Sequence, residues 1–190
     1  MNLGLSIFLS SYFLGIILLF IFTKDRWNWK KIVIKSVVII LVISLVSGLA
    51  IFVVYKISNA PRKMNEFMEI SLTDTKEDIL FLKGEPSKID EHGYWDYDES
   101  KFYIAFKENK VRYILTFSRY ASIQGISILS KSKKVIKKFG QPSSEDISSK
   151  KTIHCYLYEK YNVFFWLEQD RVSGLGIYNP ELGTFKFSDL

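Results

Sequence analysis

Ser36 to Tyr55 contains no charged side chain and is rich in Ile, Val and Leu; Met1 to Phe22 is a second uncharged run. A helix of roughly 20 apolar residues crosses the ~30 Å hydrocarbon core of a bilayer. Inside lipid a lone segment must pair its own backbone groups, which a helix does. Both runs are therefore expected to be transmembrane helices, joined as a hairpin over residues 1–57 because TKDRWNWKK between them is short. Trp27 and Trp29 fall where amphipathic rings favour the membrane interface. A cleaved signal peptide would account for the first run only, and it calls for a basic head and a small-residue cleavage site. No Lys or Arg precedes Lys24, and the run ends LLFIFTKDR. A buried soluble hairpin is the other reading.

Basic residues tend to stay on the cytoplasmic side. Lys24, Arg26, Lys30, Lys31 and Lys35 lie in or beside the short loop, against Lys56, Arg62 and Lys63 after the second run. That bias puts the loop inside, and the C-terminal domain outside, in the periplasm or the extracellular space. The expected location is a membrane crossed twice, with the folded part on its outer side. The chain's net charge of +6 belongs to this anchor: residues 1–64 hold eight basic and one acidic side chain, residues 65–190 eighteen and nineteen. Nucleic acid is thus not an expected partner, whereas membrane lipid is.

Beyond the anchor the chain repeats itself. ILFLKGEPS, Ile79 to Ser87, returns as VIKKFGQPS, Val135 to Ser143. At this displacement of 56 residues Ile70, Ser71, Gly84, Pro86 and Ser87 recur as Ile126, Ser127, Gly140, Pro142 and Ser143. Past Pro-Ser the displacement becomes 61 and stays there: Trp95 and Tyr97 meet Tyr156 and Tyr158, Ile104 and Phe106 meet Phe165 and Leu167, Asn109 and Lys110 meet Asp170 and Arg171. One insertion reconciles the remainder, which reads as an internal duplication, with a first repeat over 70–118 and a second over 119–190. Residues 58–69 read as a linker and a short helix.

Each copy follows one grammar. Asp74, with Glu77 three residues on, suits the start of a short helix, as does Ser130 or Ser132 in the second copy. Gly84 and Gly140 suit the left-handed position after a last turn, and Pro86 and Pro142 bar continuation. Alternating segments follow: YWDY, FYIAFK and VRYILTF with a turn at ENK, then CYLY, VFFWLE and VSGLGIY with a turn at QD. Period-two patterns rich in aromatic and β-branched residues predict antiparallel strands.

A short helix, a Gly-x-Pro terminator, a W-x-Y strand and a hairpin with N-K-V at its turn resemble the SmpA/OmlA family, which includes the BamE-like envelope lipoproteins. The residues that carry the likeness are SLTDTKEDILFLKGEPS, WDY and FKENKVRYI, with ISILSKSKKVIKKFGQPS as a divergent copy, across roughly residues 66 to 178. The doubling looks like the tandem repeat of β-lactamase inhibitory protein. The resemblance implies an α+β fold, tandem helix-plus-antiparallel-sheet repeats after two transmembrane helices, used to bind proteins and not for catalysis. The chain lacks the lipidated N-terminal cysteine of the lipoproteins.

With helices on one face of the sheet, Phe102, Ile104, Phe106, Val163, Phe165 and Leu167 form the expected core. Tyr103, Phe164, Trp166 and Leu157 then fall on the opposite face as a candidate partner-binding surface, since rigid rings suit docking; the bland reading packs them against the other repeat or a second copy. In IDEHGYWDYDES, Asp96 and Asp98 lie on a strand and not in a loop folded around a cation, so no metal is expected. His154 and Cys155 are adjacent on a strand and point to opposite faces, so no catalytic pair is expected. Cys155 is the only cysteine, which rules out an internal disulfide, and no cofactor motif appears.

These features predict a membrane-anchored bacterial envelope protein, not an enzyme, whose domain binds an envelope protein partner or supports an envelope assembly, with a homodimer as a further possibility. The alternative is a ligand-sensing or regulatory protein that binds a small molecule between the repeats.

Overall fold

A computed structural model describes residues 29–98, 101–148 and 152–183. The chain divides into two units, Met1–Ala60 and Pro61–Leu190. The first contains helix α1, Trp29–Ser58. At about 1.5 Å per residue its 30 residues are about 45 Å long. Val33–Ser58 is long and apolar enough to cross a membrane, and none of its apolar window is buried by protein. Leu45 is 76% exposed and Leu41 63%, an arrangement that water penalises and lipid does not. Asn59 closes the helix: its side chain and its backbone N–H both donate to the Tyr55 carbonyl. The expected first helix, Met1 to Phe22, and Trp27 lie outside the described residues; Trp29 opens α1.

The second unit is α+β. Its strands are β1 (Glu66–Phe67), β2 (Ile70–Ser71), β3 (Lys88–Ile89), β4 (Trp95–Tyr97), β5 (Phe102–Lys107), β6 (Lys110–Thr116), β7 (Ser122–Ile123), β8 (Ile126–Ser127), β9 (Ser144–Ile147), β10 (Ile153–Tyr158), β11 (Val163–Glu168) and β12 (Arg171–Tyr178). Two helices join them, α2 (Lys76–Lys83) and α3 (Ser132–Phe139). Among the described residues one antiparallel sheet takes eight strands in the order β3-β4-β5-β6-β12-β11-β10-β9, and β1-β2 and β7-β8 are separate small hairpins.

Residues 58–69, expected to include a short helix, instead lead into the first of these hairpins. Met68 and Glu69 adopt left-handed backbone conformations, φ 55° and 63°, which a two-residue turn of matching twist requires, and Phe67 and Ile70 on either side are buried. Gln124 and Gly125 make the same turn between β7 and β8, as do Glu108–Asn109 and Gln169–Asp170 at the tips of the long hairpins.

Helix α2 is capped by Thr75, one residue later than expected. Its hydroxyl accepts from the Asp78 N–H while the Asp78 carboxylate accepts from the Thr75 N–H, a capping box. Asp74 is engaged elsewhere: its carboxylate accepts from the Ser71 N–H at 2.8 Å. Helix α3 begins after Lys131 with no side-chain cap, and the Ser132 N–H donates to the Asp170 carbonyl. The Ser130 hydroxyl accepts from the Ser127 N–H, as Asp74 does from Ser71.

The glycine terminators behave alike. Gly84 and Gly140 have φ of 78° and 86°, and each N–H closes its helix on Leu80 or Ile136. Each carbonyl accepts a tyrosine hydroxyl, Tyr97 at 3.0 Å and Tyr158 at 3.2 Å. The serines after each Pro have matching tasks: Ser87 Oγ accepts from the Asp98 N–H and Ser143 Oγ from the Glu159 N–H.

At the centre β6 pairs β12 with Ile114 opposite Ile177, Thr116 opposite Leu175 and Leu115 opposite Gly176. The helices and small hairpins cover the first face of the sheet. Ile79, Val135 and Phe139 from the helices join Phe102, Ile104, Val163, Phe165 and Leu167 in one core, with Phe106 packed at its margin.

Candidate functional site

Strand alternation sends Asp96 on β4, Tyr103 and Ala105 on β5, Tyr113 and Leu115 on β6, Cys155 and Leu157 on β10, Phe164 and Trp166 on β11, and Tyr178 on β12 to the second face. A smaller apolar cluster forms there from Ala105, Tyr113, Leu115, Cys155, Leu157, Phe164 and Tyr178, with Tyr94, Phe117 and Trp166 packed against it. All four candidate partner-binding residues thus share one face, at two depths. Tyr103 and Trp166 are half-buried. Phe164 and Leu157, expected at the surface, are 0% and 3% exposed. The face carries its own layer of rings: Tyr113 meets Phe164 edge-on at 6.3 Å, and Tyr94 meets Tyr113 at 5.8 Å.

Glycines on β12 make this layer possible. A methyl group at Gly176 would lie 2.4 Å from Phe164 Cζ and 2.2 Å from the Ile114 carbonyl oxygen; one at Gly174 would lie 2.9 Å from the Phe117 ring. The Phe164 and Phe117 rings therefore sit directly over backbone.

A second row crosses nearer the surface. Tyr103 meets Phe117 edge-on at 5.7 Å, and Phe117 meets Trp166 at 5.4 Å. Asp96, opposite Tyr103 in the ladder, accepts a hydrogen bond from its phenol. Burial, then the neighbouring Asp98 charge, raises the Asp96 pKa above the ordinary carboxylate value, and burial followed by the Asp96 charge raises that of Tyr103. Asp96 Oδ1 has no hydrogen-bond partner among the described residues. The row thus offers flat apolar surface, while the Asp96 carboxylate at its end is tied to the Tyr103 phenol with Oδ1 buried, a combination suited to docking an apolar side chain or peptide.

The residues weighed for chemistry are engaged otherwise. Burial, then the Asp146 charge, pushes the Cys155 thiol up to about 12, so it is not a thiolate at neutral pH. His154, on the other face, places Nδ1 2.8 Å from the Glu145 carboxylate. The Asp90 carboxylate accepts from the His92 and Tyr94 N–H groups and shapes a turn. Among the described residues no three His, Cys, Asp or Glu side chains gather as a metal site.

Phe117 and Asp96 were not singled out as binding residues from sequence. The signal for Phe117 was the same alternation, two steps beyond Leu115; that for Asp96 was its place between two core aromatics, Trp95 and Tyr97.

No family model and no curated protein matches the chain. Among solved structures it is similar to a DUF4309 family protein from Bacillus subtilis, with 14% identity and a TM-score of 0.41 over 56% of this chain and 81% of that one. It is also similar to an extracellular protein containing a SCP domain from Bacillus anthracis, with 16% identity and a TM-score of 0.41 over 67% of this chain and 56% of that one. A third is a cysteine-rich secretory protein from Staphylococcus aureus, with 10% identity and a TM-score of 0.45 over 64% of this chain and 49% of that one. The chain spans about half the length of these last two. None of the three is described as SmpA/OmlA or as β-lactamase inhibitory protein.

Proposed function

We propose that this is a membrane-anchored bacterial envelope protein whose folded unit binds another protein and performs no catalysis. The observation that carries the reading is the half-exposed row Tyr103–Phe117–Trp166, held on central strands over a buried second layer of rings. Aromatic side chains lose little rotamer entropy on docking and dominate contact energetics, and a row whose rings pack on one another, Tyr103 edge-on to Phe117 and Trp166 tilted against it, is already ordered. The Asp96 carboxylate holds the Tyr103 phenol at one end of the row.

The anchor is taken to be a two-helix hairpin in the plasma membrane, with α1 as its second member, the loop inside and the folded unit in the periplasm or outside the cell. The folded unit is read as a tandem duplication of an SmpA/OmlA-like module. What supports this is the constant displacement of its parts: helices begin 56 residues apart, Tyr97 and Tyr158 bond the matching terminator glycines, and β6 meets β12 in a register that maps onto itself about Leu115 and Gly176. The alternative, a sensor that holds a small molecule between the halves, finds no room over the β6–β12 pairing, where Phe164 fills the space above Gly176.

The test is chemical crosslinking of the full chain in intact membranes, read by mass spectrometry. One stoichiometric protein neighbour that is lost on Trp166→Ala and on Tyr103→Ala, with the chain still resistant to protease, is the expected result. Recovery of the same neighbour from both variants, or of no protein neighbour from the parent chain, overturns the reading. A periplasm-active reporter fused after Leu190 is expected to be active.

A further inference from the structure

Helices α2 and α3 lie on the same face of the sheet and bury equivalent positions, Ile79 and Val135. Their outward sides differ systematically. On α2 the exposed residues are Glu77, Asp78, Phe81 and Leu82, followed by Glu85; on α3 they are Lys133, Lys134 and Lys137, preceded by Lys131. At the displacement of 56, Glu77 corresponds to Lys133, Asp78 to Lys134 and Phe81 to Lys137. The wider surroundings follow suit: residues 65–118 carry seven basic and twelve acidic groups, residues 119–190 eleven and seven.

Of these outward groups Asp78 closes the α2 capping box, and the fold makes little use of the rest. Phe81 is 91% exposed and Leu82 50%, so substantial apolar area on the outward side of α2 is left uncovered by the unit. Lys134 is held by the Gly125 carbonyl at 2.8 Å and Glu77 by the Asn109 amide at 3.0 Å. Lys133 and Lys137 have no hydrogen-bonded or ion-paired partner among the described residues.

We propose that the helical layer is a self-complementary interface that joins two copies of this chain face to face about a two-fold axis, the acidic α2 side of one copy meeting the basic α3 side of the other. A two-fold axis makes each such contact occur twice. The competing two-fold arrangement sets α2 on α2 and α3 on α3, and like charges oppose it. Phe81 then presents a ring face to lysine ammonium groups, a favourable pairing once water is excluded. Anchoring in one bilayer raises the effective concentration of copies for one another. The surface lies on the opposite face of the sheet from Tyr103 and Trp166, so its test is independent of theirs.

The experiment co-expresses two differently tagged full-length chains, extracts them in mild detergent and measures co-purification. The parent chain is expected to co-purify with itself, less so as salt rises. A chain with Lys133→Glu and Lys137→Glu, and a separate chain with Glu77→Lys and Glu85→Lys, are each expected to lose self-association by about tenfold, because like charges are now juxtaposed. Mixed together, the two are expected to recover the parent level, since every α2–α3 contact regains opposite charge. That recovery is something a merely misfolded variant does not give. Failure of the mixed pair to recover, with both chains as protease-resistant as the parent, overturns the proposal, as does parent-level self-association of either variant alone. A photo-crosslinker at Lys137→Cys that labels lipid and no second chain also overturns it and identifies membrane headgroups as the occupant.

Discussion

Gly176 shows how one absent side chain organises a face of the sheet. It sits opposite Leu115 where the two halves join, under the ring of Phe164 and against the Ile114 carbonyl. Gly176→Ala forces a methyl group into a backbone oxygen on a paired strand, which cannot give way locally, and a cost of about 3 kcal/mol is expected for such overpacking. Gly174→Ala meets only the Phe117 and Leu115 side chains, which can turn aside, so about 1 kcal/mol is expected. Urea unfolding of the two variants, compared with the parent, checks the order. From sequence both glycines read as ordinary members of the VSGLGIY strand; their role depends on rings far away in the chain.

The recurring element is a short helix ended by glycine and handed to a strand. Its hydrogen bonds explain why GEPS and GQPS resemble each other: the glycine carbonyl takes a strand tyrosine and the serine hydroxyl takes the backbone N–H of the residue after it. Tyr97→Phe and Tyr158→Phe are each expected to cost ~1 kcal/mol, the loss of one hydrogen bond that leaves a glycine carbonyl short of its partner. The effects should add in the double variant, since the two sites share no partner. Thermal denaturation of the single and double variants measures both points. The elements themselves were largely legible, because turn chemistry and period-two alternation are local. The β1–β2 hairpin was not, since its strands are two residues each and its turn residues, Met68 and Glu69, are not ones that favour left-handed backbone.

Across the whole folded unit, buried hydroxyl and thiol groups set a pH limit. Burial, first among its causes, pushes Tyr178 up to about 12 from 10.0, Cys155 up to about 12 from 9.0, and Tyr113 and Tyr158 upward also. The folded state therefore keeps protons that the unfolded state releases above about pH 9, so stability falls as pH rises through that window. The melting temperature is expected to hold steady from about pH 7 to about pH 9 and to decline steeply above that, and Cys155→Ala is expected to delay the onset. Calorimetry over that range tests this; an unchanged melting temperature up to about pH 11 would contradict the burial that the structure assigns to these groups.

Local pattern by itself determined where the long hairpins turn and the two short helices stop, which residues alternate across a strand and which helix is apolar enough for lipid, because each is set by neighbours a few positions away. Alternation placed Phe164, Leu157, Tyr103 and Trp166 on one face. Only the tertiary structure decided that the first two lie under a layer of rings while the others remain half-exposed. Depth is a property of what remote strands bring alongside, here Tyr113, Phe117 and two glycines of β12, and no local periodicity carries it.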